Sequence, residues 1–169
     1  VGDRVVCNTT AVELGLGTGG WHVVHWNLSR PEFVTPGPDH VMKLRYTSLQ
    51  ADVGTSELAH PDSPETLDGT PVVVCQLHSQ VGVVAAAIAA LRPGTRVAYV
   101  MTDGASLPIA LSDLVEDLRV RDLLHSTVTA GHAFGGDLEA VTVASGMLLA
   151  RHVGLQLADF LSEGAAARL

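Results

Sequence analysis

Apolar and polar positions change rhythm twice along the chain. Up to about residue 50 the apolar side chains fall in short runs, residues 4–9, 21–28 and 41–46, each rich in Val, aromatic or Thr positions, which predicts strands. Gly15, Gly17, Gly19 and Gly20 punctuate the first gap, and Pro31, Pro36, Gly37 and Pro38 the second. Between residues 51 and 70 the periodicity vanishes, and Pro61, Pro64 and neighbouring acids mark a loop or linker. After Pro71 the pattern becomes an alternation. Residues 72–77 form a β-branched run suited to a buried strand. Ser79 then caps a helix whose body is residues 81–91, and Pro93-Gly94 stops it. Residues 96–101 predict a second strand. Ser106 caps a second helix with Pro108 in its first turn, and Leu111, Leu114, Val115 and Leu118 lie on one face. Residues 126–130 predict a third strand, and Gly135-Gly136-Asp137 opens a third helix carrying Leu138, Val141, Ser145, Leu148 and Leu149.

A βαβαβα order demands parallel strands joined by crossovers. The expected fold class is therefore α/β: a β-rich N-terminal part over residues 1–50, a linker over 51–70, and a Rossmann-like parallel three-layer domain over 71–169.

The 169 residues are 47% hydrophobic and 17% charged, the balance of a packed globular protein, and aromatic residues supply only 4%, which points to an aliphatic core. A net charge of -8 without a basic run argues against nucleic acid as a partner. The apolar stretch 81–91 falls short of the roughly 20 residues that cross a bilayer, so no membrane segment is expected. Cys7 and Cys75 sit in Val-rich runs, where cysteine is expected to be a small buried hydrophobe. Their spacing fits neither a metal or redox pair nor a disulfide framework, which suits a cytoplasmic protein. The chain opens on Val1 and reads at once as β-rich, the pattern expected of an internal piece of a longer protein.

Several motifs look alike to a known family: Asn8-Thr9-Thr10-Ala11, Leu14-Gly15-Leu16-Gly17-Thr18-Gly19-Gly20, and the stretch from His40 to Thr47. Pro71-Val72-Val73-Val74 with Leu77-His78-Ser79, Tyr99-Val100-Met101-Thr102-Asp103-Gly104-Ala105, and the stretch from Gly131 to Thr142 continue the series. In this order they resemble the bacterial domain-of-unknown-function family numbered 3866. The resemblance carries no activity, substrate or cofactor with it. It implies a full-length member that extends beyond both ends of this chain, and a further apolar strand and Gly-rich loop after His152, where residues 155–169 instead read as helical or frayed.

In a parallel sheet the loops after successive strands converge on one edge. That edge would gather His78 and Ser79, then Thr102, Asp103, Gly104 and Ser106, then His132, Gly135, Gly136 and Asp137. Asp103, His132 and His78 are the candidate catalytic groups, because a carboxylate and two imidazoles offer general acid and base chemistry near neutral pH. The others are candidate ligand contacts. Glycines ahead of a helix admit an anion to its N-terminus, although Asp137 would contest it and Gly-Gly-Asp also serves simply to start a helix. Asp103-Gly104 reads first as a turn, and Ser79 and Ser106, which lie in no Gly-x-Ser-x-Gly elbow, read first as helix caps. His22 and His25 fall on opposite faces of a strand and make no zinc pair. The glycines from Gly15 to Gly20 approach a dinucleotide fingerprint, but a strand follows them, so a hairpin connection is expected. Lys43 and Arg45 read as solvated positions on a half-wet strand. No motif assigns a metal or a cofactor.

Two functions follow. One is an enzyme or binding domain that holds a small polar or phosphorylated molecule at the sheet's carboxyl edge. The other is a non-catalytic assembly or regulatory module that forms homo-oligomers or binds another protein.

Overall fold

The computed structural model describes residues 1–16, 20–102 and 108–161. The fold is mixed α/β. Small antiparallel pairs occupy the N-terminal part, and a three-stranded parallel sheet with helices occupies the C-terminal part. Strands β1 (Val5–Asn8) and β2 (Val23–Asn27) form a hairpin linked by helix α1 (Thr10–Glu13) and its following turn. The pair β3 (Met42–Lys43) and β4 (Ala51–Asp52) leads to the short helix α2 (Ser56–Ala59). Helix α3 (Gln80–Leu91) precedes strand β5 (Ala98–Met101). A 3-10 turn (Ile109–Leu111) and helix α4 (Asp113–Val120) then lead to strands β6 (Ser126–Ala130) and β7 (Leu138–Ala140) and to helix α5 (Val143–Leu161).

The parallel sheet has the order β5-β6-β7. Alternation along its strands divides the core in two. Met101 and Tyr99 face Val81 and Ala85 of α3 and Val115 and Leu118 of α4, whereas Ala98, Val100, Val128, Ala130 and Ala140 face Leu149 and Ala150 of α5. Helices therefore cover both faces.

Several expected elements differ. Residues 72–77 form no strand, and Val72, Val73, Val74 and Leu77 are exposed. The cause is local: the Gln80 side-chain oxygen takes the N–H groups of Gln76 (2.9 Å) and Leu77 (3.0 Å), turning the backbone into α3 rather than along a ladder. The strand expected over 41–46 is limited to Met42–Lys43, because Leu44 and Tyr46 adopt φ of 53° and 61° and the chain turns. Residues 135–137 open no helix; they lead into β7, and the helix starts at Val143. Helix α4 starts at Asp113 and not after Ser106, which lies outside the described residues; Ser112 is its cap, accepting the Val115 N–H at 3.3 Å. Ser79 occupies the cap position of α3 without a side-chain capping bond. Cys7 is exposed and Cys75 half-buried, since neither run that carries them is covered.

The link from β6 to β7 is the least ordinary feature. Adjacent parallel strands usually need a crossover of a dozen or more residues, yet only residues 131–137 intervene here. Gly131 (φ 66°) and Gly135 (φ 87°) supply backbone that other residues rarely adopt. Phe134 bridges Pro108, with the Ile109 N–H donating to the Phe134 carbonyl at 2.9 Å. Glu139 fastens the loop from beneath: its Oε1 accepts the Gly135 N–H and its Oε2 the Thr129 hydroxyl, both at 2.6 Å.

Lys43 completes this knot. Its expected solvation is overturned, for the side chain is 1% exposed. Its Nζ donates to the carbonyls of Gly131 (2.7 Å) and Ala140 (3.3 Å) and lies 3.5 Å from Glu139 Oε2. Arg45 does remain exposed. Beside this, Ser56 Oγ and Glu57 Oε1 accept the outward N–H groups of Glu139 and Val141, each at 2.8 Å, so that residues 41–57 strap the free edge of β7.

Candidate functional site

The polar side chains around the sheet gather in two places. The first is centred on His78, which α3's leading turn holds against β5 and the start of α4. Its Nδ1 lies 3.0 Å from Tyr99 Oη and its Nε2 lies 2.6 Å from Ser112 Oγ. Burial pushes the His78 pKa below the ordinary imidazole value. Burial, and secondarily Cys75, pushes the Tyr99 phenol up to about 12. Both groups are thus neutral at pH 7, and the chain Tyr99–His78–Ser112 can pass hydrogen-bond polarity without separating charge. Ser112 escaped sequence reasoning because its neighbours carry no elbow motif. Its signal was the Ser-Asp pair ahead of the apolar positions of α4, a capping pattern displaced from Ser106.

A stability prediction follows. The unfolded chain protonates His78 near the ordinary imidazole value of 6.5, whereas the folded chain resists it. This contribution is complete above 6.5, fades as pH falls, and is lost once pH passes the folded pKa. His125 shifts in the same direction, chiefly through burial. Thermal melting of the wild type should therefore drop below pH 6.5 more steeply than that of His78→Gln; parallel curves would refute the assignment.

The second place is a cleft of about 190 Å³ between the segment 109–119 and the β6–β7 loop. Ile109, Ala110 and Val115 give it apolar walls, and Ser112, Glu116, Arg119 and Thr127 give it polar ones, with Gly135 at its side. Ser112 thus belongs both to the His78 cluster and to the cleft. Arg119 donates to Asp137 Oδ2 (2.5 Å) and to the buried Thr127 hydroxyl (2.8 Å). The same Asp137 oxygen takes the Thr127 N–H at 2.8 Å and its hydroxyl at 3.0 Å. Burial raises the Asp137 pKa, but the Arg119 and Thr127 hydrogen bonds and the guanidinium charge outweigh it and hold the carboxyl below its usual range. A wider and shallower depression lies along Pro38, Asp39 and residues 53–59. Asp39 is spent there on closing its own loop, accepting from Val41 N–H, Thr55 N–H and the Thr55 hydroxyl.

Of the residues expected at the edge, His78 meets the cleft through Ser112, and Gly135 and Asp137 border it. Gly136 donates its N–H to Thr129 Oγ1 at 3.2 Å. With no helix beginning there, the Gly135-Gly136 amides bind side chains of the flanking strands, Glu139 of β7 and Thr129 of β6, instead of facing an anion. His132 is exposed on that loop, Ser79 is exposed before α3, and Thr102 is half-buried at the end of β5. Asp103, Gly104 and Ser106 lie outside the described residues. Among the described residues no three His, Cys, Asp or Glu side chains converge to hold a metal ion, and no helix is long and apolar enough to cross a membrane.

A family model matches residues 1–160, described as a protein of unknown function (DUF3866). The chain belongs to that family. The membership agrees with the resemblance seen in the motifs and covers both the hairpin part and the parallel sheet of this DUF3866 chain. No curated protein and no solved structure matches it.

Proposed function

We propose that this chain binds a small polar molecule in the cleft between α4 and the β6–β7 loop, beside Ser112 and Arg119. The observation that supports this reading is the pairing of apolar walls with convergent polar groups in one concavity, the usual composition of a ligand site. At about 190 Å³ it suits a ligand smaller than a drug-sized compound. An uncharged polar group fits better than a phosphate, because Arg119 is already neutralised by Asp137 and Glu116 adds negative charge to the wall. The reading fits a cytoplasmic protein that acts on a small metabolite.

A thermal-shift screen against short esters, amides, sugars and sugar phosphates tests it. A ligand at 100 times its Kd adds about 2.7 kcal/mol to stability. Ala110→Trp should abolish the shift, since Ala110 is exposed on the cleft wall and a bulky side chain there fills the space without entering the core. A shift that survives this substitution, or none across the panel, removes the cleft as the site.

A second reading rests on a separate observation. Trp21, Trp26, Phe33, Val34, Val73 and Val74 are all exposed, and apolar side chains left open to water are the raw material of an interaction surface. It favours an assembly role. Light scattering of the purified chain distinguishes the two, with a monomer at all concentrations counting against self-assembly.

A further inference from the structure

We propose that Ser112 is a nucleophile toward small acyl esters, with His78 as its base and Tyr99 as the residue that positions His78. The proposal rests on the cleft as the ligand site and names its substrate class.

Three features of the geometry converge on Ser112. Its Oγ lies 2.6 Å from His78 Nε2, the separation at which a base takes a hydroxyl proton. The other ring nitrogen is held at 3.0 Å by Tyr99 Oη, so the ring has the third, orienting partner that such a base needs. Ser112 also lines the cleft, so the nucleophile has a space in which an acyl group can sit. Ser112 Oγ accepts the Val115 N–H, which leaves its proton directed to His78. The tautomer with its proton on Nδ1 donates to Tyr99 and leaves Nε2 as the acceptor. Asp113 follows Ser112 as the first residue of α4, and its N–H has no carbonyl within the helix to bond. That is the position from which the residue after a nucleophilic serine commonly supports the developing oxyanion.

The chemistry balances with water as the only co-reactant. Ser112 Oγ bonds to the ester carbonyl carbon as its proton moves to His78 Nε2. The ester C–O bond breaks, and His78 returns that proton to the leaving alkoxide. Water then gives a proton to His78 and attacks the acyl-serine; the carboxylic acid departs and Ser112 regains its hydrogen. The neutral Tyr99 phenol supplies orientation without a counter-charge, so turnover is slower than with a carboxylate in that place.

The test incubates the intact chain with p-nitrophenyl acetate and, separately, with a small alkyl fluorophosphonate, and maps the labelled peptide by mass spectrometry. Label on Ser112 and release of p-nitrophenol are expected, with His78→Gln slowing both by about 100-fold. Ser112→Ala should abolish both, and Ser112→Asn, which retains a capping side chain, should do so while melting like the wild type. Tyr99→Phe should lower the rate and move the midpoint of its pH profile to lower pH, since the imidazolium loses its Nδ1 acceptor. A folded chain that takes no label, or takes it elsewhere, overturns the proposal. If a ligand shift sensitive to Ala110→Trp persists in that case, the binding reading stands and only the covalent step falls.

Discussion

Lys43→Ala lowers the stability of the fold by about 3–5 kcal/mol, the usual cost of removing one partner from a buried ion pair. The ammonium has, among the described residues, the carbonyls of Gly131 and Ala140 and the carboxylate of Glu139 as acceptors, within a side chain that water hardly reaches. Alanine leaves the carboxylate buried with only the Thr129 hydroxyl and the Gly135 N–H to answer it. Because whole domains are stable by about 5–15 kcal/mol, the loss is a large share of the total. Urea unfolding reads it as a lower midpoint at unchanged slope. The double variant Lys43→Met with Glu139→Gln should recover part of the loss, since it removes both charges. A loss under about 1 kcal/mol would mean that the pair behaves as an exposed one.

Gly146→Leu is the second large effect, about 1–3 kcal/mol or more. Helix α5 approaches the sheet over small residues, and a Cβ at Gly146 would stand 3.2 Å from Val100 Cγ1, 3.4 Å from Ala140 Cβ and 3.5 Å from Ala130 Cβ. A leucine must push the helix away from the strands. Gly146→Ala meets the Val100 methyl at 3.2 Å, so that β-branched neighbour must give by a few tenths of an ångström, against about 1 kcal/mol of helix propensity gained; its net effect is far smaller than that of leucine. Thermal melting of the two variants separates them; equal melting temperatures would show that α5 is free to shift.

Much of this was legible in the sequence. The runs at 4–9, 21–28, 96–101 and 126–130 became strands at the expected places because β-branched residues bounded by turn residues leave little choice. Helix α3 followed its stop signal at Pro93-Gly94 within two residues. The run 72–77 misled because composition cannot reveal that Gln80 captures two of its N–H groups. Gly135-Gly136-Asp137 misled because glycines and an acid suit a helix start and a tight crossover equally well, and only Thr127 and Glu139, brought in by neighbouring strands, decide between them. The alternating Lys43 looked solvated because its acceptors lie about ninety residues away in sequence. Of the candidate site, His78 was legible as a titratable group beside a helix start. Ser112 and Arg119 were not, since their roles arise from contacts across elements.

The strap over β7 governs how the domain behaves when it loosens. Strand β7 ends the described parallel sheet, and Ser56 and Glu57 take the outward amides of Glu139 and Val141. Those amides should exchange with deuterium at the rate at which residues 41–57 detach, well before the inner amides of β6. Once the strap lifts, a bare strand edge invites another chain to pair with it. Aggregation on mild heating should therefore begin from a locally opened, still largely folded molecule, and Ser56→Ala should hasten it.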